Sequence, residues 1–548
     1  MNEVKQTQEL IDEIINFVEH TPWKSDYKAD LQRLRDLVER PCDLAIAGEV
    51  KAGKSSFLNA LLGVDLAKVG VTETTATINF FRYGNPADPD KPVVVYWNDG
   101  REPEEQTKDF LDSLQGHDED VLTRAEKIDH LEYLIPNKDL REITIIDTPG
   151  FGSVEETHEK RTADFLTPRR DALRKRQAEQ SDNFTNSADA VIFLTDKPAK
   201  ADTKKFFTEY IPHISSSNAL GVLSKIDKQD PQNIQELASS LSESFQDKLF
   251  DVMPVSAGVY HAINKLSTNT DLLSSLQEKI KNIEKRRLDR IGEPHWTASE
   301  GPYNNMFEKA GLPFSERKAM LERLSVPWGV FYAILRALYN NASVEDAIKE
   351  LIQYSGMENV KAVLEKQFFS RARAIRCGSI LRQVKDILSR IKLISIPLQR
   401  SSYSSRKTYI EMIEYAKGFF GEQLASSFKR FVEQNIPDKA VVDRYEQETD
   451  SLLAKINQLL EVMNKSERQS ESLRLLDRLT DLFTDSQLLE IRTLFGQNTG
   501  KNLSEYDCGK RYLYWNSKQQ IASDNDYRTL LNYVCSAYLD LNNLNGNK

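Results

Sequence analysis

Residues 48–55 read GEVKAGKS, which matches the phosphate-binding pattern GxxxxGK[ST]. The motif follows a short apolar run, residues 44–47, and precedes a helix-like stretch, residues 55–63. In this context the glycines let backbone N–H groups turn toward phosphate oxygens, and the positive end of the helix dipole adds attraction. The motif therefore predicts a site for a nucleoside phosphate at a strand–helix junction.

Each part of this phosphate-binding loop (P-loop) has an expected role. Lys54 is predicted to reach the β- and γ-phosphates, and the Ser55 hydroxyl to bind Mg²⁺. The remaining nucleotide contacts are expected from Gly48, Glu49, Val50, Lys51, Ala52, Gly53 and Ser56.

A second motif, DTPG at residues 147–150, ends another apolar run about 95 residues after the loop. A carboxylate at Asp147 can hold Mg²⁺ through water, and the N–H of Gly150 can sense a γ-phosphate. By itself the tetrapeptide is also a good turn. Its position downstream of a P-loop favours the nucleotide role.

A third motif, Ser224-Lys225-Ile226-Asp227, ends the apolar run at residues 219–223. The Asp227 carboxylate can accept hydrogen bonds from the N1 and N2 donors of guanine, a donor edge that adenine lacks, and Lys225 can lie over the base. The usual motif is [NT]KxD, so Ser224 is a departure. After the next run, Ser256 and Ala257 fit a short loop that holds guanine from the other side. The expected nucleotide is therefore GTP.

Residues 70–76, GVTETTA, lie between the first two motifs and are rich in threonine. A threonine there would complete Mg²⁺ coordination only when a triphosphate is bound. Thr75 is the first candidate, Thr74 the second and Thr72 the third, with a Thr-rich surface loop as the alternative. The predicted Mg²⁺ ligands are Ser55, Thr75 and Asp147.

Runs rich in Val, Ile and Phe alternate with helix-like stretches from residue 41 to about 290, which predicts an α/β domain with a mostly parallel sheet. Residues 1–40 form two amphipathic segments, expected to join a helical neck and stalk at residues 291–548. With only 23 Gly and 19 Pro in 548 residues, we expect an elongated, all-α stalk. The expected breaks include Gly378, Pro397 and Pro437, and residues 400–435 would form one long helix.

Composition excludes several classes of protein. The net charge of −10 argues against a general nucleic-acid coat, so no nucleic acid is expected as a partner. Four widely spaced cysteines and a charged N-terminus without a signal peptide favour the cytoplasm. The seven histidines never fall at HxxxH spacing, and no apolar run approaches the roughly 20 residues that span a bilayer.

The ordered motifs GEVKAGKSSFLNALLG, GVTETTATI, DTPGFGS and SKID resemble those of the bacterial dynamin-like GTPases. The stretch SGMENVKAVLEKQFFSRARAIRCGSIL is similar to the stalk segment after their GTPase domain. The resemblance covers nearly all of the chain and weakens beyond residue 430. It implies a GTPase head on a helical stalk, heads that dimerise across nucleotide, membrane contact at the far end of the stalk and membrane remodelling. Vesicle-linked secretion and a second dynamin-like partner are among the roles and partners that it suggests.

Two departures concern the reaction. The glutamine that orients water in Ras-like enzymes is absent, because Phe151-Gly152-Ser153 follow DTPG, and Val50 cannot replace it. We therefore expect slow basal hydrolysis that a second head assists. Related dimerising GTPases hold K⁺ or Na⁺ with a small polar residue where this chain has Lys51, so the Lys51 ammonium is predicted to replace that ion. A solvated lysine is the alternative. Lys54, Ser55, Thr75 and Lys51 are the predicted catalytic residues.

Residues 371–430 carry 13 Lys and Arg against 4 Asp and Glu, a net charge of +9. Residues 394–398, ISIPL, lie within this segment and could form an apolar turn with a basic collar, giving a tip near residues 390–402. Such a tip could contact anionic lipid as a peripheral membrane site. Packing of the cations against acidic neighbours in a helical bundle is the main alternative, and nucleic-acid binding a third.

Three rival functions remain open at this point. A soluble GTP-gated scaffold or regulatory GTPase would bind GTP without direct action on a membrane. A translation or ribosome-assembly GTPase would need a basic RNA-binding appendage, which an acidic helical tail disfavours. An ATPase is disfavoured by Asp227.

Overall fold

A computed structural model divides the chain into two compact units, residues 1–40 with 373–548 and residues 41–372. We call them the helical unit and the sheet unit. The described residues are 2–49, 51–63, 77–114, 124–125, 127–148, 188–197, 214, 216–229, 233–245, 248–266, 270–289, 304–324, 326–435, 438–497, 507–522 and 524–546.

The sheet unit contains, among its described residues, one sheet of nine strands in the order β4-β3-β5-β2-β6-β1-β7-β8-β9. The strands are β1 (Cys42–Gly48), β2 (Asn79–Tyr83), β3 (Val93–Trp97), β4 (Glu104–Gln106), β5 (Ile128–Ile135), β6 (Ile143–Asp147), β7 (Ala190–Thr195), β8 (Ala219–Leu223) and β9 (Val252–Pro254).

The consecutive neighbours β6-β1-β7-β8-β9 are all parallel. Their residues are almost entirely apolar and buried, as is typical of parallel strands covered on both faces. On the other side, β2 pairs with β6 antiparallel and with β5 parallel, and β3 pairs antiparallel with both β4 and β5. The prediction of an α/β domain with a mostly parallel sheet is confirmed.

Helices cover the sheet and extend the unit to residue 372. They are α3 (Lys54–Leu62), α4 (Lys108–Asp112), α5 (Ile234–Ser244), α6 (Ala257–Leu266), α7 (Thr270–Lys281), α8 (Lys285–Asp289), α9 (Asn304–Lys309), α10 (Phe314–Leu324), α11 (Trp328–Asn340), α12 (Val344–Ser355) and α13 (Met357–Gln367). Helices α6, α7, α11 and α12 share one apolar cluster, which includes Phe331 and Ile334. The boundary predicted at residue 290 therefore lies inside this unit.

The helical unit combines the two ends of the chain. Its helices are α1 (Asn2–Glu19), α2 (Lys24–Leu37), α14 (Ala372–Arg390), α15 (Ile396–Phe420), α16 (Glu422–Asn435), α17 (Lys439–Arg478), α18 (Asp485–Leu494), α19 (Cys508–Ile521) and α20 (Asn525–Gly546). Ile11 and Ile14 of α1 are buried in one cluster with Leu381 of α14 and Ile456 of α17. The prediction of a mostly helical remainder is confirmed.

The predicted break at Gly378 is wrong, because α14 runs through it. Pro397 does not separate two helices either, since a π-helical segment (Ile391–Ser395) joins α14 directly to α15. Proline cannot donate a backbone hydrogen bond, and a wider π-helical turn beside it lets the helical stretch continue. Residues 400–435 are not one helix, because Gly421 with φ 82° ends α15 before α16 begins.

Helix α17 contains 40 residues and is therefore about 60 Å long at 1.5 Å per residue. It begins after Asp438, whose side chain accepts a hydrogen bond from the Val441 amide, while Pro437 lies outside the described residues. In the part of the chain that the structure describes, no helix combines the length and apolar character needed to cross a bilayer.

Candidate nucleotide-binding site

The described parts of the three motifs meet at the carboxyl edge of the parallel strands. Asp147 ends β6 in register with Ile46 of β1, and Gly48 ends β1 in register with Leu194 of β7. Strands β8 and β9 end side by side at Leu223 and Pro254. Loops at this edge of a parallel sheet are where such folds bind ligands.

The P-loop turns tightly between β1 and α3. Gly48 lies so close to β7 that an added Cβ would be 2.4 Å from the carbonyl oxygen of Leu194, so no other residue fits. Lys51 and Gly53 have φ angles of 62° and 88°, in the left-handed region. The Ala52 amide donates to the carbonyl of Glu49 at 3.1 Å. These dihedral angles and contacts place Glu49 and residues 51–53 in a tight turn before α3.

Lys54 begins α3, and its ammonium folds back over the loop. The Nζ atom donates to the carbonyl of Gly48 at 3.4 Å. Burial lowers the pKa of Lys54, and the nearby Asp147 carboxylate opposes that shift. Burial destabilises the charged form of this lysine, and a negatively charged phosphate nearby would stabilise it. The position therefore favours binding of an anion.

Ser224 joins the guanine motif to the P-loop. Its buried hydroxyl donates to the carbonyl of Ala52 at 2.6 Å and also lies 3.2 Å from the carbonyl oxygen of Thr195. The amide of Ser224 donates to the same Thr195 carbonyl at 2.8 Å. Serine therefore supplies a hydrogen-bond donor at the position where the usual motif has Asn or Thr.

Lys225 makes the second link between the two loops. It adopts φ 56°, and its Nζ atom donates to the carbonyl of Lys51 across the P-loop. The same ammonium forms an ion pair with Asp196 Oδ2 at 3.3 Å. Asp196 follows β7 and carried no motif, so nothing in the sequence indicated it.

Asp227 and Ser256, predicted separately to hold guanine, lie together. The Ser256 hydroxyl donates to Asp227 Oδ1 at 2.6 Å, and its amide donates to the Ser355 carbonyl at 2.9 Å. The Tyr354 hydroxyl donates to the carbonyl of Ile226 at 3.3 Å. Burial, followed by the negative charge of Asp227, raises the pKa of Tyr354 to about 12. No sequence motif pointed to Tyr354 or Ser355 as neighbours of this loop.

The remaining predicted residues are placed only in part. Ser55 and Ser56 lie in the first turn of α3, Ala257 begins α6, and the Lys51 side chain is exposed. The predicted positions that lie outside the described residues are Val50, Thr72, Thr74, Thr75, Gly150 and 151–153.

The residues present suit a magnesium-bound nucleotide. A hydroxyl at Ser55 and a carboxylate at Asp147 are the oxygen donors that Mg²⁺ prefers beside phosphates, and the charge of Asp147 acts on Lys54. Among the described residues, no group of three His, Cys, Asp or Glu side chains is arranged to hold a metal by itself.

Ser224→Ala should lower the free energy of unfolding of the sheet unit by about 1–2 kcal/mol, because the buried Ala52 carbonyl loses its donor. Nucleotide affinity should fall as well, since the P-loop loses its link to the guanine motif. Thermal denaturation with and without GDP measures both effects. Ser224→Thr keeps the hydroxyl and serves as the matched control. If the alanine and threonine variants had the same melting temperature and the same affinity for GDP, the Ser224 hydroxyl would not link the two loops.

Residues 44–226 match a family model described as "Dynamin family". Isoniazid-induced protein IniC of Mycobacterium tuberculosis is 28% identical over 269 residues, which are 48% of this chain and 50% of IniC. A bacterial dynamin-like protein of Nostoc punctiforme is 24% identical over 276 residues, which are 47% of this chain and 36% of that protein. The chain thus matches half or less of the length of these curated relatives.

A solved structure described as an oligomerised bacterial dynamin pair is 16% identical and covers 90% of this chain and 95% of its own. Its TM-score against this chain is 0.31. The family match includes the P-loop, Asp147 and the beginning of the guanine motif. Residues 44–226 therefore match the dynamin family, and about half of the chain is similar to bacterial proteins that include a dynamin-like protein.

Proposed function

We propose that this protein hydrolyses GTP to GDP and phosphate and couples its nucleotide state to self-assembly and membrane remodelling. The observation that carries the proposal is the direct connection between the P-loop and the guanine motif, made by Ser224 to Ala52 and by Lys225 to Lys51. These bonds fix the distance between a phosphate subsite and a base-selecting carboxylate, Asp227. The dynamin-family match supports the same nucleotide.

The phosphate end of the site provides charge. Lys54 would neutralise oxygens of the β- and γ-phosphates, and the amides of Gly48–Ser56 and Gly150 would donate to them. Ser55, Asp147 and Thr75 would hold Mg²⁺, which stabilises negative charge between the two phosphates. The protein's contribution is therefore to position and neutralise the triphosphate. No side chain predicted from the sequence replaces the missing glutamine, so basal hydrolysis is slow and assembly of two heads accelerates it.

The base end of the site selects guanine. Asp227→Asn replaces one carboxylate oxygen with an N–H donor, which suits the C2 carbonyl of xanthine instead of the C2 amine of guanine. GTP affinity should fall about 100-fold or more, because a charge-assisted pair of hydrogen bonds is lost, and XTP should become the better ligand. Titration with fluorescent nucleotides measures both affinities.

Two results would contradict the guanine assignment. One is an Asp227→Asn variant that keeps the wild-type preference for GTP. The other is a wild-type protein from which ATP displaces GTP with equal affinity, which would favour the ATPase. RNA that co-purifies with the protein would instead favour a ribosome-linked GTPase.

Lys51 is proposed to act as the catalytic cation. Its exposed side chain leaves the P-loop from a residue whose backbone is held at φ 62° and whose carbonyl binds Lys225. From there the ammonium would neutralise charge between the β- and γ-phosphates, where relatives bind K⁺ or Na⁺.

Replacing K⁺ with N-methyl-D-glucamine should therefore leave GTP turnover within about twofold, whereas Lys51→Ala should lower it about tenfold or more. Lys51→Gly is the matched variant, because glycine adopts the same φ without strain. Initial rates of phosphate release measure GTP turnover by the wild type, with and without K⁺, and by the two variants. A large loss of wild-type turnover without K⁺ would show that Lys51 is an ordinary solvated lysine.

Part of the basic segment is neutralised within the helical unit. Lys392 binds Asp450 at 2.6 Å, which raises the pKa of Lys392, and Arg400 binds Glu446 at 2.5 Å. Ile396 is 1% exposed, so the predicted apolar turn is partly core and lies in a continuous helical stretch. These contacts support the bundle alternative for the two collar cations.

Three apolar side chains of the same stretch nevertheless face solvent: Leu393 is 74% exposed, Ile394 54% and Leu398 63%. We call these three residues the apolar strip. Exposed large apolar residues beside cations suit the headgroup region of an anionic bilayer. We propose that the protein is cytoplasmic and contacts membrane peripherally through the apolar strip, with other copies of the chain or a second dynamin-like protein as partners.

Flotation with anionic liposomes should increase when a GTP analogue replaces GDP, and the double variant Leu393→Asp/Ile394→Asp should lose most of this binding. Ile396 is left unchanged because it is buried. Val462→Asp, at an exposed apolar position of α17, is the matched control. If the folded double variant floats like the control, the apolar strip does not bind lipid. If the wild type hydrolyses GTP and never floats, the protein is a soluble GTP-gated scaffold.

A further inference from the structure

The first turn of α11 lies against the guanine motif. A Cβ added to Gly329 would be 2.9 Å from the carbonyl oxygen of Asp227 and 3.6 Å from its Oδ2 atom. Cβ atoms essentially never come within 3.0 Å of a backbone oxygen, so any larger residue would displace Asp227 or α11. Gly329 is therefore required for α11 to approach the carboxylate proposed to select guanine.

The junction of α12 and α13 supports the same loops from a neighbouring position. Tyr354 donates to the Ile226 carbonyl, one residue before Asp227, and the Ser355 carbonyl accepts from the Ser256 amide. Gly356, at φ 68°, lies so close to β9 that an added Cβ would be 2.2 Å from the Pro254 carbonyl oxygen. The Tyr354 hydroxyl and the backbone of Ser355 and Gly356 thus contact both guanine loops, residues 224–227 and 254–257.

These contacts constrain both oxygens of one carboxylate. Oδ1 of Asp227 accepts the Ser256 hydroxyl at 2.6 Å, and Oδ2 lies on the side of Gly329. Two-point recognition of guanine needs both oxygens in one plane with the N1 and N2 donors, and hydrogen bonds weaken steeply with misalignment. A displacement of a few tenths of an ångström at Asp227 therefore weakens recognition of the base while leaving the phosphate subsite in place.

We propose that Gly329 and Tyr354 are positioning residues that determine guanine specificity by holding Asp227 in place. The inference rests on the proposed GTP-binding function and deepens it. Both residues lie outside residues 44–226, the part that matches the dynamin family. They act through Asp227, and neither is assigned a contact with nucleotide.

The test compares GDP with IDP, whose base is guanine without the 2-amino group. Wild-type protein should prefer GDP, because only GDP offers the second donor to Asp227. Gly329→Ala should reduce the GDP-to-IDP affinity ratio about tenfold, since its methyl group displaces Asp227. Tyr354→Phe keeps the ring and should reduce the ratio about threefold by removing one hydrogen bond. Calorimetric titration gives each ratio.

Gly418→Ala is the matched control, because Gly418 lies in α15 and an added Cβ there meets nothing within 4 Å. Its ratio should equal that of the wild type. In an Asp227→Asn background, Gly329→Ala should change the ratio no further, because the positioned carboxylate is absent. A purely structural role would instead weaken GDP and IDP equally in either background.

Two outcomes separate the inference from the function on which it rests. If wild-type protein binds GDP and IDP with equal affinity, the assignment of Asp227 as the residue that selects guanine is wrong. If wild-type protein discriminates but Tyr354→Phe and folded Gly329→Ala keep its ratio, only the positioning role is overturned. Should Gly329→Ala fail to fold, an unchanged ratio in Tyr354→Phe is sufficient to overturn it.

Discussion

The hydrogen bond from the Ser224 hydroxyl to the Ala52 carbonyl joins two loops that are separated by 172 residues in sequence. Those loops follow β1 and β8, which are not neighbours in the sheet, because β7 lies between them. Lys225 adds a second bond, to the carbonyl of Lys51, and both lysines have positive φ angles. Non-glycine residues adopt that conformation only where surrounding contacts enforce it. Two hydrogen bonds consequently hold the P-loop and the guanine motif together.

A second constraint explains why the sheet unit continues to residue 372. Helices α11 to α13 bury apolar side chains such as Phe331 and Met357, and their backbone approaches the guanine loops at Gly329 and Gly356. Apolar burial at roughly 25 cal/mol per Å² favours docking of these helices on the unit. Backbone approaches within van der Waals distance then determine how they dock. A domain boundary at residue 290 would have removed these supports from the loops.

The helical unit shows how the net charge of a segment differs from the charge that it presents. Residues 371–430 carry +9 in total, yet Lys392 and Arg400 are paired with acidic residues of α17. Lys417 and Lys429 likewise bind Glu422 and Glu414 between α15 and α16. Such exposed pairs contribute little stability, but they reduce the positive charge available to lipid. The proposal of lipid contact therefore depends more on the exposed apolar strip than on the net charge of the segment.

The sequence by itself determined the P-loop, the guanine motif, the mostly parallel sheet and the helical remainder, because spacing and periodicity encode local conformation. It misplaced the break at Gly378 and the turn at Pro397, because packing and a π-helical segment kept those residues in a continuous helical stretch. Only the tertiary structure decided that Ser224 donates to Ala52, that Gly329 contacts Asp227 and that Lys392 binds Asp450. Each of these pairs joins residues more than 50 positions apart, and no local propensity specifies which distant groups packing will bring together.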